Sequence, residues 1–316
     1  MNPKNSQRGQ ATVLTLVFLT VVLGMAALVL DVGSWYRAKR DAQSTADAAA
    51  LAAAQELPES TSAAKSAALS YAAKNGSGVA SGDVVFSSKI VANDTVTVTV
   101  RRTSPGFFAK IFGRKTVSVG AHATARSEGL AVARYVAPIV VHYKHPLLNC
   151  TRAANPTCNP TFRTTTTLDL EDLHQPGGGN GSGAFGLINL NRDDPNGNIG
   201  AGTLADWLRY GYDKDMPIGH YYSAPSANFN NSQFLSSLNF VLGKEVLFPV
   251  YRLLTGPGSN AVYDIIGWVG FTITSYTTNG SNGSLTGYFT QYIGQGIQAS
   301  SGGNPYFGAK KVELTD

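Results

Sequence analysis

The longest uninterrupted run of apolar residues lies near the N-terminus. Residues 11–30 read ATVLTLVFLTVVLGMAALVL, twenty residues without a charge, and a helix needs about that length to cross the hydrocarbon core of a bilayer. Its Leu, Val and Phe side chains contribute about −4 to −7 kcal/mol to insertion, an upper bound because values for the centre of a span are applied throughout. The run predicts a transmembrane helix from Ala11 to Leu30.

Two other interpretations of this run are weaker. A cleaved secretory signal would use Lys4 and Arg8 as its basic region, but the apolar run is too long and no A-x-A site follows it closely. A buried core helix of this length would normally show a polar face. Since basic residues also follow the span, charge does not orient it, and we place residues 1–10 in the cytoplasm because the remainder of the chain suits the exported side.

An alanine-rich segment follows the span and predicts a helical stalk. Residues 31–57 favour helix strongly, and Pro58 marks the stop. Small side chains recur at spacings of three or four, at Ala38, Ala42, Ala46, Ala49 and Ala53. Such a stripe permits close helix packing. The alanine stripe either lies on the chain's own domain or packs against another subunit. The second arrangement would give a homo-oligomer through the stalk.

The pattern then changes to short helices and alternating strands. A second helix is predicted from Ser60 to Lys74, followed by strands in residues 83–91, 94–102 and 115–127. Val96, Val98 and Val100 alternate with threonines, which indicates one buried face. Between the last two strands, Phe107, Phe108, Ile111 and Phe112 have the i, i+1, i+4, i+5 spacing of a core-facing helix, although the same residues would also form an exposed sticky patch.

The C-terminal half is predicted to be β-rich. Its candidate strands are Ala137 to Tyr143, Glu245 to Leu254, Ala261 to Thr278 and Leu285 to Ile293, with a hairpin turn at residues 279–284. The glycine-rich stretch 176–183 lacks the Lys-Ser/Thr of a P-loop. The expected fold class is therefore α+β and membrane-anchored. We divide it into a tail (1–10), a transmembrane helix (11–30), a helical stalk (31–75), a small α+β module (76–129) and a β-rich exported domain (130–316).

Charge is unevenly distributed along the chain. Charged residues make up 14% of the sequence, and residues 1–126 carry 14 basic and 7 acidic side chains, against 11 and 13 in the remainder. The basic excess lies beside the predicted anchor, where it suits anionic membrane lipid or an acidic partner. Nucleic acid is not expected as a partner, because no basic run is interleaved with stacking aromatics.

The two cysteines lie close together in a stretch of turn-forming residues. Cys150 and Cys158 flank TRAANPT, so a short disulfide loop is predicted, which would persist in an oxidising compartment. The alternative is two unrelated free thiols.

Known catalytic and metal-binding patterns fail on inspection. His142 and His145 would face opposite sides of a strand, and no acidic or cysteine ligands lie nearby. Residues 192–200, RDDPNGNIG, offer calcium-like oxygens but do not fit an EF-hand loop. Asp169, Glu171 and Asp172 lie close together, as solvated loop carboxylates often do. We expect no enzyme activity, no metal and no cofactor.

Four features near the N-terminus occur in a fixed order. They are RGQA at residues 8–11, the apolar span, D-x-G-x-x-Y at Asp31, Gly33 and Tyr36, and ADAAALA at 46–52, with Ala46, Asp47 and Leu51. Together they resemble the N-terminal module of TadE/TadG-like proteins of the Tad (Flp) pilus-assembly system. The resemblance covers about the first 57 residues.

The resemblance implies a bacterial, pilin-like protein of the cytoplasmic membrane that helps to build or anchor a Flp-type pilus. Its implied partners are Tad/Flp secretion-system or pilus proteins and membrane lipid. Family members with a full leader have glycine before the processing site and glutamate five residues later. Gly9, followed by Gln10, could be that site, but Leu14 stands at the glutamate position, which favours a permanently anchored accessory component.

Two other functional classes stay open. A membrane-anchored surface adhesin or glycan-binding protein is suggested by the aromatic residues Trp207, Tyr210, Tyr212, Tyr221 and Tyr222. An anchored hydrolase would need a pair of catalytic carboxylates. Binding to cell-wall glycans would support the former, and turnover that is lost on mutating one carboxylate would support the latter.

Overall fold

The computed structural model describes residues 7–76, 79–151, 156, 158–170, 184–192, 199–256, 260–279, 282–294 and 305–315. The chain divides into two compact units, one formed by Met1–Arg126 with Glu313–Asp316 and the other by Ser127–Val312. The predicted α+β class is confirmed: one long apolar N-terminal helix is followed by short helices and a β-rich C-terminal region.

Helix α1 contains the apolar run. It extends over Gln7–Ala54, 48 residues, or about 72 Å at 1.5 Å per residue. Between residues 11 and 30, all of which are described, every side chain is exposed except that of Ala27. The helix is long and apolar enough to cross a membrane, and its exposed apolar surface suits the hydrocarbon core of a bilayer. It is therefore assigned as a single-pass membrane anchor.

Helix α2 packs against the second half of α1. It runs over Thr61–Lys74 and begins as predicted, with the Ser60 hydroxyl accepting a hydrogen bond from the Ala63 N–H at 3.1 Å. The two helices are in contact. Their fully buried residues are almost all alanines: Ala42, Ala46, Ala49, Ala50, Ala53 and Ala54 in α1, and Ala64, Ala68 and Ala72 in α2.

Three antiparallel strands complete the first unit. They are β1 (Val84–Ser87), β2 (Thr95–Pro105) and β3 (Thr116–Gly129), in the order β1-β2-β3, and β2 packs against α1. The predicted buried face is confirmed, because Val96, Val98 and Val100 have no exposed surface. The end of the chain returns beside β3, where the Thr315 N–H donates to the Thr124 carbonyl at 2.8 Å.

The β1–β2 loop is organised by one buried carboxylate. Asp94 accepts hydrogen bonds from the N–H groups of Lys89, Ile90 and Val91 at 2.8, 2.6 and 2.9 Å and from the Thr95 hydroxyl at 2.7 Å. Burial raises the pKa of Asp94, but these donors outweigh burial and leave the pKa below its ordinary value. The carboxylate thus replaces the cross-strand pairing that this loop lacks.

The second unit contains most of the strands. They are β4 (Val132–Ala133), β5 (Ile139–His142), β6 (Thr165–Leu170), β7 (Ala184–Leu187), β8 (Met216–Pro217), β9 (Gly219–Tyr222), β10 (Glu245–Thr255), β11 (Val262–Asn279), β12 (Asn282–Thr290), β13 (Tyr292–Ile293) and β14 (Ala309–Leu314). Its helices are α3 (Ala201–Tyr210) and α4 (Ser232–Val241). β14 extends two residues beyond this unit.

Six of these strands close into a mixed barrel. The pairing order is β10-β5-β7-β6-β12-β11, and β11 pairs in turn with β10, so each strand of the ring has two partners. The β10–β5 and β6–β7 pairs are parallel, whereas the others are antiparallel. Short strand β9 pairs with β11, and β4 pairs with β8.

Aromatic side chains fill the core of the second unit. Phe248 stacks on Phe271 and Phe289 meets Phe271 edge-on, both with ring centroids 5.2 Å apart. These rings have less than 1% of their surface exposed, and α3 and α4 add further side chains to the same cluster. The barrel is a packed core rather than a channel.

A disulfide and a buried histidine lie beside this core. Cys150 and Cys158 are bonded to each other. His145 is 3% exposed, its Nδ1 accepts the Leu147 N–H at 3.1 Å and its Nε2 lies 3.1 Å from the Thr166 hydroxyl. Burial lowers the pKa of His145 from 6.5 to about 4.

The second unit is expected to lose stability as the pH falls from 6.5 toward 4. The unfolded chain takes up the His145 proton near pH 6.5 and the folded chain only near pH 4, so the unfolded state binds more protons in this window. Below about pH 4 the free energy of unfolding is lower by about 3 kcal/mol at most.

Urea unfolding of the intact chain in detergent at pH 7 and pH 4.5 measures this effect. His145→Asn is the informative variant, because asparagine can still accept the Leu147 N–H but takes up no proton. The pH dependence should be smaller in this variant. Equal losses in both proteins would assign the pH dependence to other groups.

Candidate functional site

Asp31, the residue that directly follows the apolar run, is buried and hydrogen-bonded. Only 3% of its surface is exposed. Its Oδ1 accepts the Phe107 N–H at 2.7 Å, its Oδ2 accepts the Ala109 N–H at 2.6 Å, and the Phe108 N–H lies 3.1 and 3.2 Å from the two oxygens. One carboxylate thus satisfies three consecutive backbone donors of the β2–β3 loop. We call this arrangement the Asp31 clamp.

The clamped loop is a tight turn. Ala109–Phe112 form one turn of 3₁₀ helix, which ends at Gly113 in a left-handed conformation with φ 82°. Gly106 lies where a Cβ would come within 2.6 Å of the Arg114 carbonyl oxygen, so glycine is required there. The Gly106 N–H donates to the Lys115 carbonyl at 3.0 Å and closes the loop.

The prediction that this loop presents apolar side chains to the core is wrong. Phe107, Phe108 and Ile111 are 62%, 38% and 76% exposed, and the side chain of Phe112 lies outside the described residues. The prediction from the i, i+1, i+4, i+5 spacing assumed that these residues form a helix with a buried face. The clamp instead fixes the backbone of the loop and turns these side chains away from the unit's interior.

The D-x-G-x-x-Y and ADAAALA residues divide between two faces of α1. At 100° per residue, Ala46 lies about 60° from Asp31 around the helix, and Gly33 and Tyr36 lie about 200° and 140° away. Asp47 and Leu51, at about 160° and 200°, share the far face. Asp31 and Ala46 are buried, Gly33 and Tyr36 are exposed, and Asp47 and Leu51 are half-buried.

Packing within the chain explains the inward face of α1, which carries Asp31 and Ala46, but it does not explain the residues on the opposite side. A Cβ added at Gly33 would meet nothing within 4 Å, and Tyr36 is 65% exposed, so packing within the chain requires neither residue. An open depression along α1 is lined by Gly33, Tyr36, Arg37, Arg40, Asp41 and Ser44. We call this set the outward face. A residue pattern without an internal role is typical of a contact with another molecule.

The alanine stripe is buried within its own unit. Ala42, Ala46, Ala49 and Ala53 have no exposed surface, and α1 contacts both α2 and β2. The first of the two interpretations, a helix lying on its own domain, accounts for these four residues. A homo-oligomer through the same stripe would have to displace this packing, and homo-oligomerisation itself stays a prediction.

Other residues singled out in the sequence do not come together. Gly9 and Gln10 lie in the first turn of α1. Asp169 is exposed on β6, whereas Glu171 and Asp172 lie outside the described residues, as do residues 193–198. Within the described part of the chain, no three His, Cys, Asp or Glu side chains form a group that could hold a metal ion.

The aromatic residues of the C-terminal half also have separate environments. Tyr221 is 1% exposed, and its hydroxyl donates to the Pro217 carbonyl at 2.7 Å. Burial raises its pKa to about 12. Tyr212 is buried as well, whereas Tyr210 is 67% exposed. The set therefore does not form one exposed platform for a sugar ring.

Comparison with known families identifies the segment that carries this site. Residues 9–56 match a family model described as "Putative Flp pilus-assembly TadE/G-like". We refer to residues 9–56 as the TadE/G-like segment, after the family model that they match. The match begins at Gly9 and ends two residues after α1. No curated protein and no solved structure matches the chain.

The TadE/G-like segment therefore contains both faces of α1, and residues 57–316 lie outside the match. The Asp31 clamp joins the segment to a loop about 76 residues farther along the chain. Sequence reasoning marked Asp31 as a family residue but missed its role. The sequence does not show which carboxylate binds the loop, because the contact joins residues that meet only in the folded chain.

Removing the Asp31 carboxylate is expected to loosen the loop. Asp31→Ala leaves the Phe107, Phe108 and Ala109 N–H groups without their acceptor, so their amides should exchange about tenfold faster or more. Hydrogen exchange of the intact chain in detergent measures this. Asp41→Asn, a change at an exposed position of the same helix, is the control and should leave the loop unchanged. Equal exchange in Asp31→Ala and wild type would contradict the clamp.

Proposed function

We propose that this chain is a non-enzymatic envelope component of a Flp/Tad-type pilus-assembly system. The observation that carries the proposal is the match of residues 9–56 to the TadE/G-like family model, on a helix that is long and apolar enough to span a membrane. The chain is held by α1 in the bacterial cytoplasmic membrane, and residues after the span are exported. The bonded pair Cys150 and Cys158 supports export, because such bonds persist in oxidising compartments.

In this proposal the two faces of α1 within the TadE/G-like segment have different roles. The inward face attaches the chain's own α+β unit to the anchor through the Asp31 clamp and the alanine packing. The outward face binds a Tad/Flp protein. Gly33 allows another helix to approach closely, and Arg37, Arg40 and Tyr36 supply charge and aromatic contact area around it.

The anchor is permanent in this proposal. Leu14 stands where related leaders carry a glutamate, and a carboxylate at that place would offset a neighbour's new amino terminus inside a fibre. Without it, the chain acts as an accessory or minor pilin-like component that keeps its first ten residues. A mature N-terminus at Gln10, or recovery of the chain in sheared pili, would contradict this part of the proposal.

Site-specific photo-crosslinking in cells tests the outward face. A benzoylphenylalanine at Tyr36 should crosslink to proteins of the Tad/Flp apparatus. The matched control is Tyr71, which is 46% exposed on α2 of the same unit and should not. Crosslinking that is equal at both positions, or normal pili in cells that lack the chain, would contradict the proposal.

A reporter fused after Asp316 tests the orientation. It should be active only in an exported form, because the residues after the span lie outside the cytoplasm. Cytoplasmic activity of the fusion in intact cells would reverse the orientation. It would leave the family match of the span unaffected.

A further inference from the structure

The β2–β3 loop exposes a cluster of large apolar side chains. Phe107 and Ile111 are 62% and 76% exposed, and Phe108 is 38% exposed. All three lie within five consecutive residues at the tip of one hairpin. Exposed apolar clusters with a polar rim mark sites of contact with another molecule or with a membrane.

The position of the loop along α1 indicates which of these it meets. The clamp places the loop backbone against Asp31, with N···O distances of 2.6 to 3.2 Å. Asp31 follows directly on Leu30, the last residue of the apolar run. The loop backbone therefore lies within about one helical turn, 5.4 Å, of the level at which α1 leaves the hydrocarbon core.

The rest of the hairpin leads away from that level. Farther along α1, Lys39 Nζ donates to the Gly120 carbonyl, and Gln43 Nε2 donates to the His122 carbonyl at 3.0 Å. Residues farther along α1 thus contact residues farther along β3. The hairpin therefore runs beside the helix and away from the span. Its tip is the part that lies nearest the end of the apolar run.

The charges around the loop favour a lipid surface. Residues 106–115 read GFFAKIFGRK, with three basic and no acidic side chains. Lys110, Arg114 and Lys115 are all exposed. Apolar side chains surrounded by basic ones are typical of segments that lie in the interface of an anionic bilayer.

We propose that the β2–β3 loop is a second membrane contact. Phe107, Phe108 and Ile111 enter the boundary between headgroups and acyl chains beside α1, and Lys110, Arg114 and Lys115 contact lipid phosphates. Because the Asp31 clamp fixes this loop to the helix, the contact sets the depth of α1 in the bilayer and the side toward which α1 tilts. The outward face of α1, on the side opposite Asp31, is then held at a constant height above the bilayer.

Depth-dependent fluorescence quenching tests the contact. The intact Ile111→Cys chain is labelled with nitrobenzoxadiazole and reconstituted in phosphatidylcholine vesicles with about one-third phosphatidylglycerol. Cys150 and Cys158 are bonded to each other and do not compete for the label. A lipid with a nitroxide high on its acyl chain should reduce emission about twofold or more, since interfacial side chains lie about 5–10 Å deep.

Ile90→Cys is the matched control. Ile90 lies 38% exposed in the β1–β2 loop of the same unit, at the other end of β2, about 33 Å from the clamped loop at 3.3 Å per residue. Its label should be unaffected by the quencher. Equal quenching at both positions, or none at Ile111, would overturn the proposal and would point to a protein partner for the loop.

The inference rests on one part of the proposed function, the insertion of α1. A label at Val17→Cys, inside the apolar run, tests the insertion of α1 separately from the loop contact. Quenching at Val17 without quenching at Ile111 overturns the loop contact and leaves the anchor standing. Absence of quenching at Val17 overturns both.

Discussion

Replacing Val17 and Val21 together by arginine is expected to abolish membrane insertion. Both residues lie near the middle of the apolar run and are exposed in the folded chain. Each change replaces a favourable residue by one that costs about 2.5 to 3.5 kcal/mol at the centre of a span, so the pair costs about 6 to 8 kcal/mol once the lost valine contributions are included. That cancels the whole of the roughly −4 to −7 kcal/mol that the apolar side chains supply.

Alkaline extraction of cell membranes measures the result. The wild-type chain should stay in the membrane pellet, and the double arginine variant should appear in the soluble or degraded fraction. Val17→Leu with Val21→Leu is the control and should behave like wild type, because both residues favour insertion. A double arginine variant that remains fully embedded would mean that other parts of the chain hold it in the membrane.

The experiment also separates the anchor from the two weaker interpretations of the apolar run. A cleaved signal would leave the wild-type chain soluble after export, with a new N-terminus after the run. A core helix would leave it soluble in the cytoplasm. The structure disfavours the core helix, because nineteen of the twenty residues from 11 to 30 are exposed.

The sequence predicted those parts of the fold that depend on local patterns. The span follows from length and composition alone, and the strand β2 follows from the alternation of Val96, Val98 and Val100 with threonines. The start of α2 follows from the Ser60 cap. In each case residues that are close together in the sequence determine the element, so no distant partner has to be known.

The features that were missed depend on distant partners. The barrel closes through β5 and β10, whose paired residues Val141 and Val250 lie more than a hundred positions apart. Strand β6 reads TTTLDL and looks polar, yet Leu168 and Leu170 are buried in the core. Helices α3 and α4 were not predicted at all, because each has only ten residues and their burial comes from the barrel they pack on.

The candidate site shows the same division. The residues Asp31, Gly33 and Tyr36 were found from their pattern, but the pattern does not show that Asp31 faces inward and the other two outward. That distinction requires the loop at residues 106–115, which reaches Asp31 only in the folded chain. The exposure of Phe107 and Ile111 was mispredicted for the same reason.

Enlarging the alanine face is the change expected to destabilise the first unit most. Ala46 and Ala49 have no exposed surface and lie on the side of α1 that contacts α2 and β2. Leucine at both positions adds three carbons each to a contact that has no space for them. Overpacking costs about 1 to 3 kcal/mol per site, so Ala46→Leu with Ala49→Leu should cost about 4 kcal/mol.

Chemical denaturation of the intact chain in detergent, followed by hydrogen exchange of β2 amides, measures this loss. The control is Ser44→Leu with Gln55→Leu, which adds apolar side chains to exposed positions of the same segment. Its stability should change by less than about 0.5 kcal/mol. If the alanine variant instead keeps full stability and loses only self-association, the stripe serves another subunit rather than the chain's own domain. Loss of stability without any change in association would assign the stripe to the fold and leave the outward face of α1, with Gly33 and Tyr36, as the surface for partners.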